Sequence, residues 1–259
     1  MAYTAHLGGE PVAEWRRGKQ FIITPGRVSF AFTPIDDAGK LQPGDTIRFL
    51  SATATPSLTD TDDTLLSFTS QYGDTISYRL NETPDSVHSR QLLNIPFTIE
   101  KSLIDKASSL LKGNRYYITT PVWFNGNNDN ITGRKLIPVD VDSVTAGNDT
   151  YPLAVYFTDH NDMKPYHVYM STGNTHNATR NFDTLFSLSD PRVKYKDIKD
   201  DVWDYITRSS VKIEMTREEC RLALGNPREV IRGHYLERWT YDNGISLIFD
   251  DGYLQQIRR

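Results

Sequence analysis

A chain of 259 residues has room for one large domain or for two to three smaller ones. With 38% hydrophobic and 24% charged residues it is neither a disordered tail nor a membrane bundle, and a net charge of -4 excludes the broad basic surface of non-specific phosphate binders, so nucleic acid is not an expected partner. The single cysteine, Cys220, excludes an internal disulfide and a thiolate metal cluster, and 14 tyrosines with many Ser, Thr, Asn and Asp between apolar runs favour β structure.

Residues 1–9 lack the charged start and apolar stretch of an export signal, and no apolar run approaches the ~20 residues of a membrane-spanning helix. No transmembrane segment is expected, and any association with an envelope would be peripheral. Two short apolar runs, residues 21–24 and 28–32, flank the turn pair Pro25-Gly26 and predict a hairpin or tight corner. A strand is expected over residues 46–50, and the polar, aperiodic stretch from Ser51 to Thr64 reads as a long loop. Alternation resumes around Gly73-Asp74, at residues 67–70 and 75–78. Turn chemistry at this density predicts a β-rich domain over residues 1–90, a sandwich or small barrel.

The period then changes from two to about 3.6. Ile99, Leu103, Ala107, Leu110 and Leu111 fall on one helical face, with Thr98 placed to cap the start and Gly113 to end the helix in the left-handed region. Strand patterns follow at residues 116–119, 122–124, 136–141, 153–157 and 167–170, broken by the Asn-rich loop 125–130. Residues 91–185 are therefore expected to form a second, mostly β unit with one helix.

Residues 186–259 carry the sharpest signals. Asp190-Pro191 breaks the chain, and Ile198, Val202, Trp203 and Ile206 recur at helical spacing. Thr216 with Glu219 forms a capping box, Met215 and Cys220 are spaced as a hydrophobic staple, and Leu224-Gly225-Asn226-Pro227 stops the helix. Three strands are predicted over residues 237–241, 245–249 and 253–257, joined by Asn243-Gly244 and Asp251-Gly252 as two-residue type I′ turns.

The run Met215-Thr216-Arg217-Glu218-Glu219 through Leu224-Gly225-Asn226-Pro227, with Trp239-Thr240-Tyr241 and Phe249-Asp250-Asp251-Gly252 behind it, resembles the SmpA/OmlA (BamE-like) family. The resemblance covers about the last quarter of the chain. It implies two helices packed on a three-stranded antiparallel sheet, used for binding and scaffolding. Its structural positions here are Thr216, Glu219, Leu224, Gly225, Pro227, Trp239, Phe249 and Gly252. Glu214 stands where that family usually has glycine, and the lipid-modified cysteine of its typical members has no counterpart near residue 1. The expected fold class is α+β, mostly β: β-rich units followed by a two-layer αα-βββ domain.

No catalytic constellation is written in the chain. Cys220 sits on the inner face of a short helix and reads as a core residue. His160, His167 and His176 lie near Asp159 and Asp162 but lack metal-ligand spacing, and such loop histidines are expected to face water. Asp60, Asp62 and Asp63, and the loop around Asp129, offer oxygen ligands without an EF-hand pattern. Neither a cofactor nor a metal is expected. Trp123, Phe124 and Tyr116-Tyr117 beside the Asn-rich loop that holds Asp129 offer an aromatic platform for a sugar or peptide, although β-core and hairpin positions are the favoured reading. Arg238 and Tyr241, on a cationic fringe with Arg232, Arg258 and Arg259, suggest a partner surface on the C-terminal sheet. The leading expectation is a non-enzymatic interaction or scaffold protein of a bacterial cell envelope, binding a protein partner through its BamE-like domain. The alternatives are a glycan- or peptide-acting hydrolase, or a glycan-binding module, near Trp123 and Asp129.

Overall fold

The computed structural model describes residues 3–4, 6–57, 61–172, 179–233 and 236–259. Strand occupies 37% of the chain and helix 20%, so the protein is mostly β, with antiparallel sheets that include a half-barrel. In chain order the first elements are β1 (Gln20–Ile23), β2 (Phe32–Thr33), α1 (Ile35–Ala38), β3 (Thr46–Thr55), β4 (Asp63–Ser70), β5 (Thr75–Leu80), α2 (Pro84–His88), β6 (Thr98–Glu100) and α3 (Lys101–Leu111). Next come β7 (Arg115–Ile118), β8 (Val122–Phe124), β9 (Asn130–Thr132), β10 (Ile137–Ala146), β11 (Leu153–Asp159) and β12 (Lys164–Met170). The chain ends with α4 (Phe182–Leu185), β13 (Phe186–Ser187), α5 (Pro191–Lys194), α6 (Asp200–Thr207), α7 (Arg217–Leu224), β14 (Glu229–Arg232), β15 (Leu236–Thr240), β16 (Ser246–Asp250) and β17 (Tyr253–Arg258).

These elements group into two compact units that do not follow sequence order. Unit 1 holds residues Met1–Asn114 and Asp140–Thr184, and unit 2 holds Arg115–Val139 and Leu185–Arg259. In unit 1 the strand order β2-β5-β4-β3-β1-β6 makes one antiparallel sheet. Its core is aromatic: Phe68 meets Phe21, Phe32 and Phe49 at ring-centroid distances of 5.7, 5.9 and 5.9 Å, all edge to face. Strand β6 pairs with β1, Phe21 opposite Glu100, which ties residues on either side of position 90 into this one sheet. Strands β10, β11 and β12 form a second antiparallel run in the same unit, from Asp140 opposite Thr158 to Leu153 opposite Met170.

One local expectation is narrowed and two are corrected in unit 1. Of the two alternatives for residues 21–32 the hairpin is excluded and the corner is formed: β1 pairs with β3 and β6, β2 pairs with β5, and residues 28–30 form a 3-10 turn. Pro25-Gly26 makes that corner beneath Phe97, whose ring leaves no room for a side chain at Gly26, where φ is 155°. Residues 51–55 belong to β3, which continues through a bulge after Phe49 and pairs with β4 as far as Thr55 opposite Asp63. Thr98 lies in β6, and helix α3 begins two residues later than expected with Glu100 at its N-cap. The buried stripe of α3 is Leu103, Ile104, Ala107 and Leu111.

Unit 2 is built on the four-stranded antiparallel meander β14-β15-β16-β17, one strand more than expected. Helices α6 and α7 bury Val202, Ile206, Cys220 and Ala223 with Met215, Trp239, Leu247, Phe249 and Leu254 in one core. The capping box is formed, with Glu219 N–H donating to Thr216 Oγ1 at 3.3 Å and Thr216 N–H donating to Glu219 Oε2 at 2.6 Å. Thr216→Ala is expected to lower stability by about 1 kcal/mol. Denaturant midpoints of the two proteins check this, and Thr216→Asn, which keeps an acceptor, should lose less.

Asp251 and Gly252 have φ of 44° and 87°, as a type I′ turn requires. Asn243-Gly244 does not make one: only Gly244 has positive φ, and Tyr241 N–H donates to Ile245 O across a three-residue loop. Within the same unit β7 pairs with β13, and β8 pairs with β9.

Candidate ligand-binding cavity

The sequence-predicted site residues do not converge. Trp123 is 1% exposed: its Nε1–H donates to Thr120 O at 2.9 Å, and the ring packs on Gly133, where a β-carbon would lie 2.0 Å from it. The ring therefore supplies core volume to the β8–β9 hairpin and presents no open face for stacking. Phe124 is half-buried in the same hairpin. Asp129 is exposed and accepts from Asn125 Nδ2 at 3.0 Å, while its own N–H donates to Asn125 Oδ1 at 2.9 Å. That exchange closes the turn between β8 and β9.

Cys220 is fully buried in the unit 2 core. Burial first, and the Glu219 charge second, push its thiol up to about 12. At pH 8 almost none of it is thiolate, so the native protein should resist a maleimide and label only on unfolding. Labelling followed by mass spectrometry with and without denaturant tests this, and rapid native labelling would count against the core position.

Of the histidines, His160 is exposed with Nε2 3.1 Å from Asp140 Oδ2. His167 does not face water: it is 3% exposed on β12, its ring 4.7 Å from that of Tyr156, and burial lowers its pKa. His176 and Asp60 lie outside the described residues. Asp63 is buried and bound to Arg79 at 2.7 Å, while Asp62 is exposed. Among the described residues no group of three or more His, Cys, Asp and Glu side chains is placed to hold a metal.

Arg238 and Tyr241 serve different sides of the unit 2 sheet. Tyr241 is buried, with its hydroxyl donating to Gly225 O at 3.3 Å. Arg238 is exposed between its cross-strand neighbours Ile231 and Ile248. Leu236, Asp250 and Tyr253 form a second exposed row by the same register. The two sheet edges differ. At β17 the chain before α7 covers the edge, with Glu214 N–H donating to Leu254 O and Leu254 N–H donating to Met215 O, both at 2.8 Å. Strand β14 is exposed along all four residues and pairs with β15 alone in its sheet.

A cavity in unit 1 brings chemistry together where the sequence had marked none. It has a volume of about 660 Å3, the size that encloses a drug-sized molecule. Its walls are mostly apolar, from Leu7, Phe21, Leu93, Ile95, Ile99 and Leu103. The turn before β11 adds Asn148, Asp149 and Thr150, with Ser171 and Thr172 beside them. Asp149 Oδ1 accepts from Thr24 Oγ1 at 2.9 Å.

The buried polar group in this wall is Glu100, 6% exposed at the junction of β6 and α3. Its Oε2 accepts from Lys19 Nζ at 2.7 Å, from Glu10 N–H at 3.0 Å and from Ser102 Oγ at 3.5 Å. Its Oε1 is buried without a hydrogen-bond partner. Gly9 stands beside that oxygen: a β-carbon there would lie 2.7 Å from Oε1 and 2.8 Å from Leu92 Cδ1. The Lys19 ammonium also binds Glu10 Oε2 at 2.6 Å and holds the Glu10 carboxyl below its ordinary value. Periodicity could not reveal this site, but an acid inside the apolar run Phe97-Thr98-Ile99-Glu100 was a usable sign.

No protein-family model matches the chain, and neither the curated proteins nor the solved structures contain a match to it.

Proposed function

We propose that this is a binding protein whose unit 1 cavity encloses a small molecule with an apolar body. The observation that carries this reading is a mostly apolar cavity of about 660 Å3 with Glu100, Asn148, Asp149 and Thr150 among its lining residues. Binding pockets have that character, apolar walls with a few fixed polar groups that orient the ligand. The test is fluorescence titration of the full chain with N-phenyl-1-naphthylamine, an uncharged apolar probe. Saturable 1:1 enhancement is expected, and Thr172→Trp, which fills the half-buried rim, should reduce it at least tenfold. A chain that gives no saturable enhancement is not this kind of binding protein.

A second reading is supported by the uncovered β14 edge and by Ile231, Leu236 and Tyr253 on the outer face of the sheet, 43%, 51% and 51% exposed. Unit 2 then serves as the interaction or scaffold module, adding a partner's strand at β14. The placement in a bacterial cell envelope rests on the resemblance of residues 215–254 to the SmpA/OmlA (BamE-like) family. A photo-crosslinking residue at position 231 should trap a protein partner in cells, and one at the exposed Tyr72 of unit 1 should not. Equal trapping at both positions refutes the assignment to β14.

A further inference from the structure

We infer that the strand added at β14 is acidic, an extended segment of a protein partner with carboxylates on alternate residues, an inference that rests on the β14 edge being the docking site. The backbone of that edge is set by register. Gly233 N–H donates to Leu236 O at 2.8 Å, and Ile231 stands opposite Arg238 two residues earlier. Antiparallel alternation therefore turns the N–H and C=O of Ile231 toward β15 and those of Val230 and Arg232 outward, where an incoming strand finds donors and acceptors. Strand β14 pairs with β15 alone in its sheet, and its four residues are all exposed.

Charge selects the kind of strand. Val230 lies opposite Trp239 and Arg232 opposite Glu237, so both stand on the face against which α7 packs. Two α7 arginines reach the same face: Arg217 Nε is 2.9 Å from Glu237 Oε2, and the Arg221 guanidinium lies 4.8 Å from the Trp239 ring centroid. Glu237 is one carboxylate, and Arg217 balances it. Arg232, whose side chain is 74% exposed and 3.7 Å from Glu237, and Arg221, exposed over its ring, are then surplus positive charge. Of the nearby acids, Glu229 alternates to the opposite face with Ile231, and Glu219 is committed to the capping box.

An added strand lies about 4.8 Å beyond β14, so every second side chain falls on this face beside Val230 and Arg232. A carboxylate there gains a two-pronged, charge-assisted bond from a guanidinium that the fold leaves uncompensated, whereas a lysine meets like charge. A nucleic acid or an anionic lipid surface would use the guanidinia but not the outward backbone groups. An acidic strand uses both.

The experiment measures fluorescence anisotropy of labelled peptides of about ten residues, strand length, with the full chain at pH 7. One peptide alternates glutamate with threonine, and the other two carry glutamine or lysine in place of glutamate. The glutamate peptide should bind at least tenfold tighter than the glutamine peptide, and the lysine peptide weakest. Arg232→Gln should cut that advantage at least threefold, whereas Arg17→Gln, exposed in unit 1, should leave it unchanged. Val230→Pro removes an outward N–H while sparing the ladder to β15, and should abolish binding of the glutamate peptide. Equal binding of the glutamate and glutamine peptides overturns the acidic assignment on the unaltered chain, even where Val230→Pro does not fold, and leaves the edge reading standing. Glutamate-peptide binding that survives in a folded Val230→Pro overturns strand addition, since the arginines then act as a plain anion patch. If none of the peptides binds, the acidic assignment falls, and trapping at position 231 in cells decides whether the edge reading falls with it.

Discussion

Trp239→Ala should be the most damaging single substitution in unit 2, lowering stability by about 3–5 kcal/mol. The side chain is fully buried, its ring centroid is 4.7 Å from that of Phe249, and the Arg221 guanidinium lies 4.8 Å from the ring. Its Nε1–H donates to Glu237 Oε1 at 2.7 Å, so truncation removes both volume and the donor to a buried carboxylate. Burial alone would raise the Glu237 pKa, but the indole donor with Arg217 and Arg232 outweighs it and leaves the carboxyl below its ordinary value. Glu237 thus contributes stability that is present above the ordinary glutamate range and is lost as pH falls through its folded pKa. Trp239→Phe should lose less than the alanine variant and should weaken that acid dependence. Denaturant midpoints at pH 7 and pH 4 measure both effects. A loss below about 1 kcal/mol for the alanine variant would show that the core does not depend on this residue.

The parts of unit 2 that were legible in the sequence are those whose chemistry is local. The capping box and the positive-φ pair Asp251-Gly252 are each specified within a few residues and both appear where expected, whereas Gly225 ends α7 with φ of 82° and ψ of -167°, a glycine conformation outside the left-handed helical region. Strand β14 was not legible. Its four residues are all exposed, so burial imposed no alternation, and only pairing with β15 makes Glu229–Arg232 a strand. The second half of β3 was hidden for the same reason: Ser51 to Thr55 have no buried side chain and are held by the ladder to β4. Trp123 was legible only as a choice of two: an aromatic beside an Asn-rich turn has the same composition whether the ring faces solvent or packs on Gly133, and the favoured reading, a β-core position, is the one found.

The cavity was hidden for a third reason. Glu100 and Lys19 are 81 residues apart, and the wall brings together residues 7–9, 92–100 and 148–152, which no local pattern links. Sequence reading finds side chains whose neighbours explain them. Glu100 is explained only by a partner that arrives through the register of β1 with β6.

That dependence makes Lys19→Met the second large effect. The Lys19 side chain is 7% exposed, lies 5.5 and 5.7 Å from the Trp15 and Phe21 ring centroids, and is the cation common to Glu10 and Glu100. Methionine keeps much of the volume and the contact with both rings but leaves Glu100 buried without its cation. Removing one partner of a buried ion pair costs about 3–5 kcal/mol, far more than an exposed pair is worth. The sign of the pH dependence follows from Glu10, whose carboxyl is held below its ordinary value chiefly by the Lys19 hydrogen bond. The stability that Lys19 supplies is therefore complete above the ordinary glutamate pKa of about 4.3 and fades as pH falls through the lowered folded value. The gap between the parent and Lys19→Met should be widest at pH 7 and should narrow below about pH 4, where the protonated Glu10 carboxyl no longer needs the cation. Adding Glu100→Gln to Lys19→Met should recover part of the loss at pH 7, because the uncompensated charge is then gone. A gap that stays constant from pH 7 to pH 4, with no recovery in the double variant, would mean that Lys19 acts through packing on Trp15 and Phe21 alone.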